Sequence, residues 1–254
     1  MTIEQTLPST DRTDEETVLT AEGLTREFGS VAVVEDVSLQ LDAGTLHALI
    51  GPNGSGKTTL LRLLAGIIQP TAGTVSVDED DQLRTIGYLP QQPDFRPSFT
   101  AMETIEFYAA LADDDPAALL SRVGLGDAAD RRVEDLSGGM TRLLGLAQAI
   151  TGDPPIVLLD EPGSGLDPRM RRQTIDVAQS LAAAGAAVLY TTHDLELAEQ
   201  SCDRVSLIEA GRLVETAPPD ALLDREGAAT LREAFESLVD GSADGVTVIG
   251  EGDR

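Results

Sequence analysis

The stretch GPNGSGKTTL, Gly51–Leu60, contains Lys57, the single lysine in a chain of 254 residues. Gly51, Gly56, Lys57 and Thr58 satisfy the spacing G-x-x-x-x-G-K-[ST]. Glycines at that spacing let successive backbone N–H groups turn inward around phosphate oxygens, and a following helix adds the positive end of its dipole. Pro52, Asn53, Gly54, Ser55 and Thr59 complete the cradle, Lys57 is placed for the β and γ oxygens, and Thr58 for a Mg²⁺ ion. Lysine suits the position because it is a compact ammonium, whereas arginine is a wide planar fork. The flanks agree: TLHALI reads as an apolar strand entering the loop, and KTTLLRLLAG as a helix that stops at Gly66.

Elsewhere lysine is replaced. The chain carries 18 Lys and Arg against 44 Asp and Glu, a net charge of −26. So negative a surface repels nucleic acid and anionic lipid, so no nucleic-acid partner is expected. Two readings of the excess stand: a halophile's protein, adapted to molar salt where the Debye length falls to about 3 Å, or an acidic protein of an ordinary cell. Cys202 is the single cysteine, which excludes an intrachain disulfide and a cysteine-built zinc cluster. No apolar run approaches the length of a membrane span.

Outward from the loop, VSLQL and its neighbours between Val18 and Leu49 read as antiparallel strands, and TVSV and TIGYLP continue the strand-like pattern as far as Pro90. From about residue 95 to 152 the runs become helical, as in AMETIEFYAALA and GMTRLLGLAQAI, which marks a helical subdomain. IVLL, Ile156–Leu159, reads as a central parallel strand. Pro168 to Ala184 then reads as a helix closed by Gly185, AAVLYTTH as a strand, RVSLIEAGRLVETA as a hairpin and ATLREAFESLVDG as a terminal helix. The fold class expected is α/β: a P-loop NTPase core with a parallel sheet, an antiparallel β subdomain and a helical subdomain. The expected division is a disordered lead-in over residues 1–17, the main domain over 18–217, and a C-terminal helix and tail over 218–254.

The glycine loop implies only a nucleotide. LSGGM, Leu136–Met140, followed by the strand IVLLD, narrows it: in this order the motifs resemble the ATP-binding cassette family, from about Val18 to Ala217. The resemblance implies ATP and Mg²⁺ as ligands and assigns roles. Ser137, Gly138 and Gly139 would open a helix and hold the γ-phosphate bound by the opposite subunit. Met140 departs from the family's commoner glutamine. Asp160 would organise the metal together with Thr58 and Gln91, and Glu161 would polarise the attacking water. SGLD, Ser164–Asp167, resembles the loop that crosses the dimer interface. His193 would contact the γ-phosphate, while His47 reads as structural. Gln91 matches the glutamine that touches metal and water, with Gln92 beside it as the alternative by one position. Phe28 would stack on adenine.

By the same resemblance the partners are a second cassette, identical or not, and integral membrane permease subunits. The chain would sit in the cytoplasm, peripheral on the inner face of the membrane. An export-type transporter ATPase is the leading expectation, and a soluble cassette ATPase such as one serving iron–sulfur assembly the alternative. A non-hydrolysing binding module is disfavoured by the presence of both Glu161 and His193.

Overall fold

The computed structural model describes residues 16–77 and 85–243. The lead-in expected over 1–17 lies outside these except for its last two residues, and Thr17 already begins the first strand. The tail after 243 also lies outside.

Two sheets organise the chain. Strands β1 (Thr17–Phe28), β2 (Val31–Asp42) and β4 (Ala72–Val77) form an antiparallel sheet in the order β2-β1-β4. The larger sheet runs β5-β6-β7-β3-β8-β9, built from β3 (Leu46–Ile50), β5 (Ile86–Leu89), β6 (Ile156–Leu159), β7 (Ala187–Thr192), β8 (Arg204–Glu209) and β9 (Arg212–Ala217). Its pairs are parallel except β8 with β9, the expected hairpin. The strand order places TIGYLP, read only as a strand, and moves IVLL off the centre. TIGYLP supplies β5, an edge strand of the parallel sheet and not of the antiparallel one. IVLL is interior but one place in from that edge, and β7 and β3 hold the middle. An apolar run of four residues says that both faces are covered, not how many neighbours lie beyond each side.

The faces follow from the two-residue strand period. Leu46, Ala48 and Ile50 of β3 point into one core with Val157, Leu159, Val188 and Tyr190, and Leu49 points into the other with Leu158 and Leu189. The first core is closed by α2 (Ala101–Ala112), α3 (Pro116–Arg122), α4 (Gly138–Ala149), α5 (Pro168–Ala183) and α6 (Leu195–Ser201). The second is closed by α1 (Lys57–Leu64) and the antiparallel sheet. Capping fixes the helix starts. Thr100 and Glu103 form a reciprocal box at α2, Ser137 Oγ accepts from Met140 N at 3.2 Å at α4, and Asp167 Oδ1 accepts from two N–H groups at α5. The C-terminal region holds two helices where one was expected: α7 (Pro219–Glu226), opened by Pro219 and closed by Gly227, precedes α8 (Leu231–Ala243).

His47 lies buried on β3, its Nε2 2.8 Å from Ser206 Oγ, which is in turn 2.6 Å from Thr216 Oγ1. Burial first, then the positive charge of Arg204, lowers its pKa from 6.5 to about 3. The native state therefore holds His47 neutral where the unfolded chain protonates it. This selective protonation of the unfolded chain has no effect above about pH 6.5 and removes stability progressively as pH falls toward about 3, with a slope approaching ~1.4 kcal/mol per pH unit. Denaturant unfolding of wild type and His47→Gln at constant salt from pH 7 to 4 tests this: the wild type should lose more stability over the interval than the variant, and parallel losses would contradict it.

Candidate active site

The glycine loop leaves the C-terminal end of β3 and re-enters the fold at α1. Gly56 is the helix N-cap at φ 103, in the left-handed region, and a Cβ there would stand 2.5 Å from the Val33 carbonyl oxygen of β2. Glycine is thus required for both conformation and space. The β8–β9 hairpin braces the loop from behind, Gly211 N donating to Ser55 O at 3.0 Å. Lys57 folds back over the loop, its Nζ donating to the carbonyls of Gly51 (2.8 Å) and Pro52 (2.9 Å). Burial pushes the Lys57 ammonium down, against the opposing pull of the Glu161 and Asp160 carboxylates.

Across the loop stands the end of β6. Asp160 is fully buried, and its Oδ1 accepts from Thr58 Oγ1 at 3.1 Å and Thr191 Oγ1 at 3.0 Å. Its Oδ2 is buried and has no hydrogen-bond partner among the described residues. Burial raises the Asp160 pKa, the two threonine hydroxyls lower it, and the charge of Glu161 raises it again. Glu161 follows at φ 47, uncommon for a non-glycine residue, and its N–H donates to Thr191 Oγ1 at 2.7 Å. Gln91 Nε2 donates to Glu161 Oε2 at 3.0 Å, so of the two adjacent glutamines Gln91 is the one at the site.

Asn53, Gly54, Gly56, Lys57, Thr58 and Thr59 of the loop, with Gln91 and Glu161, line one cleft of about 270 Å³. Val33 of β2 joins them, a contribution that sequence reading missed because it comes from the antiparallel sheet. His193 is exposed and lines a smaller adjoining cavity of about 40 Å³, with Glu161 common to both. Phe28 is half exposed at the end of β1, opposite Val31, with the Arg26 guanidinium 4.7 Å over its ring; it is not among the cleft-lining residues. Ser137 and Gly138 are exposed at the N-terminus of α4, and with Gly139 they also stand outside the cleft lining.

The donor set fits a phosphate-bound divalent cation. The hard oxygens of Asp160 and Thr58 converge beside the loop, and the orphaned Asp160 Oδ2 is the kind of buried anionic oxygen that such an ion satisfies.

A family model described as ABC transporter matches residues 34–164. The Nod factor export ATP-binding protein I of Burkholderia lata is 38% identical over 215 residues, covering 79% of this chain and 71% of that protein. The daunorubicin resistance ATP-binding protein DrrA3 of Streptomyces coeruleorubidus is 35% identical over 237 residues, covering 86% of this chain and 75% of that one. Among solved structures, an ATP-binding subunit of an ABC transporter superposes with a TM-score of 0.79 at 27% identity, over 88% of this chain and all of that chain. A dimeric ATP-binding cassette in a post-hydrolysis state, bound to ADP and Pi, shares the fold with a TM-score of 0.71 at 24% identity over 79% of this chain.

The two carbonyls of Gly51 and Pro52 converge on one compact ammonium, a geometry that a planar guanidinium does not reproduce. A Lys57→Arg chain should keep its fold and lose about tenfold or more of its affinity for MgATP, measured by calorimetry, and unchanged affinity would show that charge alone suffices there.

Proposed function

The chain belongs to the ABC transporter family as an ATP-binding ATPase subunit, and from that premise we propose that it drives export through separate membrane-spanning chains. The observation that carries the site assignment is the convergence of Thr58, Asp160, Glu161 and Gln91 at the mouth of the glycine loop. Support for export comes from relatives named for Nod factor export and daunorubicin resistance. Among the described residues no helix is long and apolar enough to cross a membrane; the reading gives the spanning part to partner chains and sets this chain against them at the cytoplasmic face. The division into a main domain over 18–217, with a helical subdomain at about 95–152, belongs to the same reading.

In this mechanism ATP lies on the loop with its phosphates against the backbone N–H groups of residues 53–58 and the Lys57 ammonium. A bound Mg²⁺, held by Thr58 and Asp160 with Gln91 beside them, would neutralise charge on the β and γ oxygens. Glu161 takes a proton from water as the water oxygen attacks the γ phosphorus and the bond to the β–γ bridging oxygen breaks. Gln91, already bonded to the Glu161 carboxylate, orients it. His193 lines the adjoining cavity that shares Glu161 with the cleft, and the reading gives it the contact to the γ-phosphate. Phe28 offers the adenine a ring whose other face is covered by Arg26.

Ser137, Gly138 and Gly139 present a capped helix N-terminus away from the chain's own cleft, and the reading gives them the nucleotide of a second cassette. Two chains thereby close two sites head to tail, and phosphate release reopens them. The acidic excess is the chain's adaptation to molar salt. Its unfolding temperature should rise when KCl is raised from ~0.1 to ~2 M, and a fall would return it to the ordinary-cell reading.

Two experiments test the rest. Glu161→Gln should bind ATP with wild-type affinity and accumulate as an ATP-bound dimer while turnover falls by about 100-fold or more; unchanged turnover would remove Glu161 from the chemistry. Purification from gently solubilised native membranes at molar salt should bring down a polytopic membrane protein in stoichiometric yield. Recovery with soluble partners alone would overturn the transporter assignment and favour a soluble cassette ATPase.

A further inference from the structure

Arg142 has no part in the motifs singled out above, yet it closes a ring of hydrogen bonds around Glu161. It lies on α4, one turn after Gly138 and Gly139, and is half-buried. Its Nη1 donates to the carbonyl of Ser164 and its Nη2 to the carbonyl of Gln91. Each of those residues is one bond from Glu161: Gln91 Nε2 donates to the Glu161 carboxylate at 3.0 Å, and Ser164 N donates to the Glu161 carbonyl at 3.1 Å. One guanidinium therefore fixes both the side-chain partner and the backbone partner of the residue assigned to polarise water.

The same helix end is packed on the same loop independently of Arg142. A Cβ on Gly139 would stand 2.9 Å from Met170 Cε and 3.0 Å from Leu166 Cδ2, so the α4 N-terminus lies directly on the segment that follows Ser164. The helix whose N-terminus the proposed function gives to a second nucleotide is thus joined, by a contact and by a forked hydrogen bond one turn later, to two loops that set Glu161.

Glu161 needs such support. At φ 47 it occupies the left-handed region, a conformation that is costly for a non-glycine residue and persists only where its surroundings impose it. Thr191 holds its N–H, and the ring through Arg142 holds its carboxylate and its carbonyl. Arginine is the residue that can do this, because its planar fork reaches two carbonyls on two separate loops at once, whereas a lysine ammonium is a point donor on a flexible stem.

We propose that Arg142 is a positioning residue that couples the seating of the α4 N-terminus to the placement of Glu161, by tying the Gln91 and Ser164 backbones to that helix. The proposal rests on the reading of Glu161 as the water-polarising group. It gives a physical link between the nucleotide that one chain contacts through Ser137–Gly139 and the hydrolytic residue that the same chain applies to its own nucleotide.

The test uses the full chain at molar salt, with Arg142→Lys to keep the charge and Arg142→Met to keep the volume. For both variants kcat should fall by about tenfold or more, while KM and the dissociation constant for MgATP stay within about threefold of wild type. Amide hydrogen exchange should quicken together in residues 90–92 and 162–166 and stay unchanged in α1. A kcat within about threefold of wild type for Arg142→Lys would overturn the forked-bond account, as would losses of kcat and affinity in equal measure. The exchange measurement needs no turnover. If the wild type proves not to hydrolyse ATP, the functional reading fails on its own, and unchanged exchange in the two loops would separately overturn the tie through Arg142.

Discussion

A fully buried carboxylate with one unsatisfied oxygen is the constraint around which this fold is arranged. Asp160 is held by Thr58 and Thr191 through Oδ1, while Oδ2 has no hydrogen-bond partner among the described residues. A buried charge without full compensation costs several kcal/mol, so the surrounding structure must hold it there and something must complete it. The ties run in every direction from it. Thr58 begins the helix after the glycine loop, and Thr191 belongs to the neighbouring strand and also holds the N–H of Glu161. Asp160 N donates to the carbonyl of Leu89 at 2.9 Å, which locks the end of β6 to the end of β5 just before Gln91. The strand ends, the loop and the glutamine are thereby set relative to a place suited to a cation between carboxylate and phosphate.

Charge distribution sharpens the same picture. In a chain of net charge −26, Lys57 and Arg142 each feel both Asp160 and Glu161 while burial acts against their own charge. The two roles divide by shape. The ammonium of Lys57 sits within a narrow backbone cradle, and the guanidinium of Arg142 spans two loops. Surface ion pairs such as Arg122–Asp153 and Arg171–Asp194 use arginine throughout, as the composition dictates, and at molar salt each contributes little.

Much of this was legible in the sequence because it is local. A glycine loop between an apolar strand and a leucine-rich helix fixes strand, loop and helix by spacing alone, and a serine before two glycines announces the start of α4 at Ser137. What was not legible depends on partners distant in the chain. The place of β5 at the edge of the parallel sheet is set by pairing with β6 some 70 residues later, which no pattern within TIGYLP encodes. Val33 reaches the cleft because β2 folds over the loop. Thr191 is an ordinary strand threonine until the register of β7 on β3 and β6 brings it beside Asp160. Arg142 reads as one more polar position on an amphipathic helix, and its fork acquires meaning only when two loops converge on it. The helix α7 was missed because Pro218 and Pro219 look like punctuation, whereas Pro219 occupies the first helical turn, where proline is tolerated.

The central claim is that each hydrolytic site is assembled from two chains, the glycine loop of one and the α4 N-terminus of the other. Mixing two inactive variants tests it most directly: Lys57→Ala, which spoils the loop, and Ser137→Arg, which blocks the helix N-terminus. Each alone should be inactive, and the mixture should regain ATP hydrolysis because a mixed dimer contains one site built from two intact halves. A mixture as inactive as its components, with dimerisation confirmed, would contradict the account.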